Sequence, residues 1–191
     1  LKLIKIIMSK TIRIALNEPE IINLKLIAHN RHDLKDKIYN SKSRYGFSEN
    51  MDERDYLGIL GEFAVSKYLK IPFDYSINLE GDGGVIDMFL GDWSIQVKST
   101  KYKQGRLMFN SLTEVEALIN ILCYVDTENN IIELLGYISR KDFLKEKYIK
   151  QFGKRTTYCV DQSKLRPISE LSFYYLLENI NISQYEKLLG K

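Results

Sequence analysis

Cysteine is nearly missing from this chain: Cys123 and Cys159 are the only two among 191 residues. Two thiols cannot complete a four-cysteine zinc site or a four-thiolate iron–sulfur cluster, and a pair so far apart reads as reduced, buried thiols in a cytoplasmic protein. Proline is as scarce, three residues in all, so no Pro-rich linker divides the chain. With no repeat and no low-complexity tract, residues 1–191 read as a single domain. Long apolar runs are lacking too. No window approaches the roughly 18 uninterrupted apolar residues of a membrane span. The apolar start, Leu1 to Met8, is broken by Lys2 and Lys5 and followed by Lys10 and Arg13, unlike a signal peptide. No Gly-Lys-Ser/Thr phosphate loop occurs, so no nucleotide cofactor is expected. Neither sign of charge dominates: 28 Lys and Arg against 25 Asp and Glu leave +3, a weak pull toward an acidic partner.

What is present suffices for a core, since 45% of residues are apolar and 12% aromatic. Thr11 to Leu16 alternates weakly as a first strand, and Pro19 opens a helical pattern through Ile22, Leu26, His29 and Leu34. A polar loop from Asn40 to Asp52 follows. Asn50 and Glu53 have capping-box spacing, which predicts a second helix ending near Lys70, before Pro72. Gly81-Asp82-Gly83-Gly84 reads as a permissive turn. Val85 to Ser99 then reads as a hairpin about Gly91-Asp92. Its register would pair Leu90 with Trp93, Met88 with Ile95 and Ile86 with Val97, making one face apolar. Further on, the pattern predicts a strand over Leu107 to Asn110 and a short helix capped by Ser111 and Glu114. Strands over Ile121 to Asp126 and Ile131 to Ser139, a helix over Lys141 to Tyr148, a strand near Thr156 to Val160 and a C-terminal helical segment over about 169–189 complete it. The expected class is α/β, a central mixed sheet flanked by helices.

The other hairpin face carries the chemistry. Ser94, Gln96 and Lys98 alternate onto it, and the same register sets Asp87 across from Gln96, with Lys98 opposite Val85. Glu62 is the only charged residue from Tyr56 to Ser66, in a helix whose Gly58 and Gly61 permit close approach to a sheet. Such a carboxylate needs a cation, either a metal or a lysine. A Glu62–Lys98 ion pair without catalysis is therefore the structural alternative.

Glu62 on a helix, Asp87 on one strand and Gln96-Val97-Lys98 on the next resemble the PD-(D/E)XK nuclease superfamily, in its Gln-x-Lys variant. The likeness spans the core motif region, about residues 53–110. The family's eponymous proline is replaced by Ile86, and Gln96 stands for its second acid. The resemblance implies a restriction endonuclease-like fold and a divalent-metal-dependent deoxyribonuclease, possible roles being structure-selective repair or recombination or a restriction-type cut. It implies Mg²⁺, with Mn²⁺ able to substitute, held by Asp87, Gln96, the Val97 carbonyl and Glu62. Catalysis would rest on Glu62, Asp87, Gln96 and Lys98, in a homodimer, leaving a 5′-phosphate and a 3′-hydroxyl. Hard oxygen ligands suit that ion, and a lysine can orient water or stabilise phosphoryl charge. Lys101, Lys103 and Arg106, interleaved with Tyr102 and Gln104-Gly105, suit a DNA backbone. A nuclease-fold module that binds nucleic acid without cutting is the rival reading. His29 and His32, three apart on a helix without completing ligands, read as surface or substrate-facing groups.

Overall fold

Residues 11–39, 51–76, 86–152 and 155–172 are described by a computed structural model. Strand β1 (Ile12–Ala15) leads into α1 (Glu18–Tyr39), and α2 spans Met51–Leu69. Asn17 and Glu20 cap α1 reciprocally, each side chain accepting the other's backbone N–H at 2.9 Å. The buried stripe of α1 is Leu24, Ile27 and Ala28, while Ile22 and Leu26 of the expected pattern stand 59% and 58% exposed. Apolar residues occupy nearly every side of that stretch, so tertiary packing selects the stripe. Helix α2 ends as its sequence predicts. Lys70 takes a positive φ of 57°, and the Ile71 N–H reaches back to the Ser66 carbonyl at 3.1 Å, ahead of Pro72.

Strands β2 (Met88–Leu90) and β3 (Trp93–Thr100) form the expected hairpin, with Gly91 at φ 59° in its turn. Its ladder pairs Leu90 with Trp93 and Met88 with Ile95. After β4 (Leu107–Phe109) comes a 3₁₀ turn at Leu112–Glu114, in place of the expected helix. Here the Ser111 side chain makes no cap, and the Glu114 carboxylate accepts the Asn110 N–H. Strand β5 (Ile119–Asp126) begins two residues earlier than its apolar run suggested, taking in Asn120. Then follow β6 (Ile131–Ser139), α3 (Arg140–Glu146), β7 (Tyr148–Phe152) and β8 (Arg155–Val160). The Ser139 hydroxyl caps α3 by accepting the Asp142 N–H at 3.0 Å.

The fold is mixed α/β, with one five-stranded sheet ordered β1-β6-β5-β3-β2. Within it only β3 and β5 are parallel. Helices α1 and α2 cover one face through a core that includes Leu24, Leu60, Ala64, Ile95, Val97, Ile121 and Cys123. The opposite face is not simply helix-covered, as expected. A second, antiparallel sheet, β4-β8-β7, joins α3 there over Leu107, Phe109, Leu122, Phe143 and Val160. No helix among the described residues is long and apolar enough to cross a membrane. The Gly81–Gly84 turn with Asp82, Val85, and residues 173–191 of the C-terminal segment lie outside the described residues.

Candidate active site

Asp87 sits half-buried immediately before β2 begins. The sequence register places it across from Gln96; instead its N–H donates to the Ile95 carbonyl at 2.9 Å, and its Oδ2 accepts the Val97 N–H at 2.6 Å. The carboxylate thus takes the position a partner-strand carbonyl would have held. An ionised acceptor makes this bond short and strong. It also moves Ile86 out of register, leaving it 37% exposed rather than packed on Val97. In an extended strand a residue's N–H and C=O point to the same edge, so the Val97 carbonyl is directed to the side that holds Asp87.

Alternation puts Ser94, Gln96 and Lys98 on the face turned to the second sheet. Ser94 is committed structurally, its Oγ accepting the Leu118 N–H at 3.0 Å. Gln96 is 5% exposed, and its Oε1 is buried without a hydrogen-bond partner among the described residues. Lys98 runs beside buried Leu122, its register partner, and its Nζ lies 5.1 Å above the Phe109 ring centroid. Phe109 in turn meets Phe143 edge-on at 4.9 Å. A quadrupole face is the ammonium's partner here, and Lys98 has no ion pair among the described residues.

Glu62 reaches the sheet from the other side. A Cβ at Gly61 would collide with Ser99 Oγ and press on Val97 Cγ1 at 3.4 Å, so only glycine lets α2 approach so closely. Helix α2 therefore lies over Val97, Ser99 and Cys123, the face away from Lys98. The Glu62–Lys98 pair that the sequence leaves open does not form. Arg31 of α1 takes that place, with Nη1 3.6 Å from Glu62 Oε2 and both side chains largely buried. The same guanidinium donates to the carbonyls of Asp74 at 2.7 Å and Ser76 at 3.1 Å, tying both helices to the segment after α2. Burial, assisted by the Glu62 charge, pushes the Cys123 thiol far up, so it stays neutral and inert.

The basic loop is pinned rather than splayed. Lys101 pairs with Glu53 at 3.1 Å, and Arg106 with Asp161 at 2.6 Å. The Arg106 hydrogen bond holds the Asp161 carboxyl below its ordinary value and raises the guanidinium in return. Exposed pairs of this kind are weak and screened, so both cations can exchange a carboxylate for a phosphate. Lys103 is exposed, and its carbonyl and that of Gly105 accept from Gln162 Nε2 at 2.9 and 2.8 Å. His29 lies 3.6 Å from Asp33 and His32 3.1 Å from Asp55, so the two histidines serve separate carboxylates. A depression of about 330 Å³ lined by Lys25, Ala28, His29, Glu53 and Tyr56 involves none of the hairpin residues.

Among the described residues no three His, Cys, Asp or Glu side chains gather as a metal cluster. The hairpin's donors are of a different kind: one carboxylate, one backbone carbonyl and one buried carboxamide oxygen lacking a partner. All are hard oxygens, the donor class that Mg²⁺ takes, usually with several waters retained. On that chemistry the donor set fits. Sequence reasoning missed Arg31, Phe109 and Asn120. Only Asn120 left a signal, as a lone amide inside the apolar run from Ile119 to Val125. The chain matches no family model, no curated protein and no solved structure.

Proposed function

We propose that the protein is a divalent-metal-dependent nuclease that hydrolyses DNA phosphodiester bonds. The observation that carries the reading is the Asp87 carboxylate anchored on the Val97 N–H, at the strand edge to which the Val97 carbonyl also points. Asp87, that carbonyl and Gln96 Oε1 are the residues that would hold Mg²⁺ or Mn²⁺. When bound, the ion would activate water and offset charge on the phosphoryl oxygens. Lys98 contributes N–H donors and a fixed positive charge to the attacking water or the scissile phosphate. Lys101, Lys103 and Arg106 bind the flanking backbone, Lys101 and Arg106 by exchanging Glu53 and Asp161 for phosphates. A cytoplasmic homodimer acting in repair or recombination, or as a restriction-type endonuclease, extends the same reading. Glu62 acts through water at most, because Arg31 already neutralises it.

That Arg31 contact, with Gln96 in place of an acid, favours a second reading: a nuclease-fold module that grips DNA without cutting it. One experiment separates them. Purified protein is incubated with linear, circular, single-stranded and four-way-junction DNA in Mg²⁺, Mn²⁺ or EDTA. Metal-dependent cutting supports the nuclease; retention of DNA with no cutting in either metal selects the binding module.

A further inference from the structure

Two buried amide oxygens face a shared problem. Gln96 on β3 and Asn120 on β5 are register partners on neighbouring parallel strands, which places both side chains on one face about 4.8 Å apart. Gln96 is 5% exposed and Asn120 fully buried, and among the described residues neither Gln96 Oε1 nor Asn120 Oδ1 has a hydrogen-bond partner. A dry acceptor left unpaired is costly. Asn120 has no freedom to reverse itself, because its Nδ2 donates to the Ala117 carbonyl at 3.3 Å. Its oxygen is therefore fixed as an acceptor, and a donor must come to it.

The neighbouring donor is Gln96 Nε2. The two ends of a carboxamide are nearly isosteric, and hydrogen bonds decide which end points where. We propose that Asn120 is a positioning residue for Gln96. Its Oδ1 accepts Gln96 Nε2–H across the β3–β5 pair, which turns Gln96 Oε1 away from β5 and toward the Asp87 edge. Both orphan oxygens are then accounted for: one is paired, and the other is presented as a cation ligand, the part that rests on the function proposed above. The same constraint gives a reason for glutamine where the resembling family has an acid. A carboxylate at position 96 has no hydrogen for Asn120 and would set acceptor against acceptor in a dry site.

Three readouts test it. In ¹⁵N NMR spectra the Gln96 side-chain NH₂, assigned by its loss in Gln96→Met, should exchange slowly with solvent and become fast in Asn120→Leu; fast exchange in the parent protein overturns the pair. Thermal unfolding in EDTA is then read for Gln96→Met, Asn120→Leu and the double variant. If the amides are bonded, each single change strands the other amide and lowers Tm, by about 3 °C or more, and the double change recovers part of the loss. Single changes that raise Tm and simply add overturn the proposal, since they would be removing orphans. Finally, Mn²⁺ titration by calorimetry should show affinity falling about tenfold or more in Asn120→Leu. Unchanged Mn²⁺ affinity in Asn120→Leu overturns the positioning role alone. A parent protein that binds no Mn²⁺, although its two amides prove coupled, instead overturns the metal-site reading and leaves a purely structural amide pair.

Discussion

Replacing Glu62 by Gln asks whether α2 and the hairpin lysine share a face of the sheet. Glu62 Oε2 and Arg31 Nη1 are 3.6 Å apart, with 22% and 13% of the side chains exposed. At an effective dielectric near 20 the gross attraction is roughly 4–5 kcal/mol, most of it offset by desolvation of the two ions. In Glu62→Gln the guanidinium keeps its bonds to the Asp74 and Ser76 carbonyls, and the new amide oxygen can still face it. The net loss should therefore be about 1–2 kcal/mol, below the 3–5 kcal/mol or so of stranding a fully buried ion. For a chain of this size that lowers Tm by roughly 2–8 °C. The assay is thermal unfolding in EDTA for Glu62→Gln alone and combined with Arg31→Met or with Lys98→Met. Measured against each single variant, the cost of Glu62→Gln should shrink in an Arg31→Met background and persist in a Lys98→Met background. Rescue by Lys98→Met would refute the placement of the two charges on opposite faces, and an unchanged Tm in the single variant would refute the ion pair.

Three further outcomes follow from the same geometry. Asp87→Ala leaves the Val97 N–H without its acceptor and should cost about 1–3 kcal/mol, whereas Asp87→Asn keeps an acceptor oxygen and should unfold within a degree or two of the parent; equal denaturant midpoints for both variants would remove that hydrogen bond from the account. Lys98→Ala should abolish cleavage while fluorescence anisotropy shows only modestly weaker DNA binding, one cation among several carrying a small share of backbone affinity; binding and cleavage lost in step, with the fold intact, would make the lysine purely a phosphate anchor. Neutralising Lys101, Lys103 and Arg106 together should reduce the slope of log K against log salt by about 2–3 for duplex DNA, and an unchanged slope would place the nucleic-acid surface elsewhere.

The parts of the fold legible in the sequence are those where local rules act alone. Alternation plus a glycine that can take positive φ set the β2–β3 register from Leu90 to Met88, and Pro72 with its preceding residues announced the end of α2. Hairpin register slipped only at Asp87, because its carboxylate accepts the Val97 N–H, an arrangement alternation alone does not encode. Helix α1 was misread for the opposite reason: Ile21, Ile22, Leu24, Leu26 and Ile27 make it apolar on several sides, so periodicity could not choose the stripe that packs. The second sheet escaped because Tyr148 to Phe152 is short and mixed, with its one aliphatic residue, Ile149, exposed, so its pairing with β8 left no apolar alternation to read. In the site, Glu62, Asp87, Gln96 and Lys98 stood out as polar residues among apolar ones. Of their partners, Arg31 of α1 did not, and Asn120 of β5 stood out only as a lone amide in an apolar run, with nothing to mark its pairing with Gln96.

The central claim, that the Asp87 edge of the hairpin binds a divalent cation to cut DNA, is tested most directly by cleavage with parent and Asp87→Asn proteins purified side by side. The variant keeps an acceptor for the Val97 N–H and so keeps the fold, which circular dichroism checks, while losing the negative charge that a cation requires. The account predicts cutting by the parent in Mg²⁺, none in EDTA, and a rate at least about a thousandfold lower in the variant. Equal rates in the two preparations, or a parent that leaves every DNA form intact in both Mg²⁺ and Mn²⁺, would contradict it.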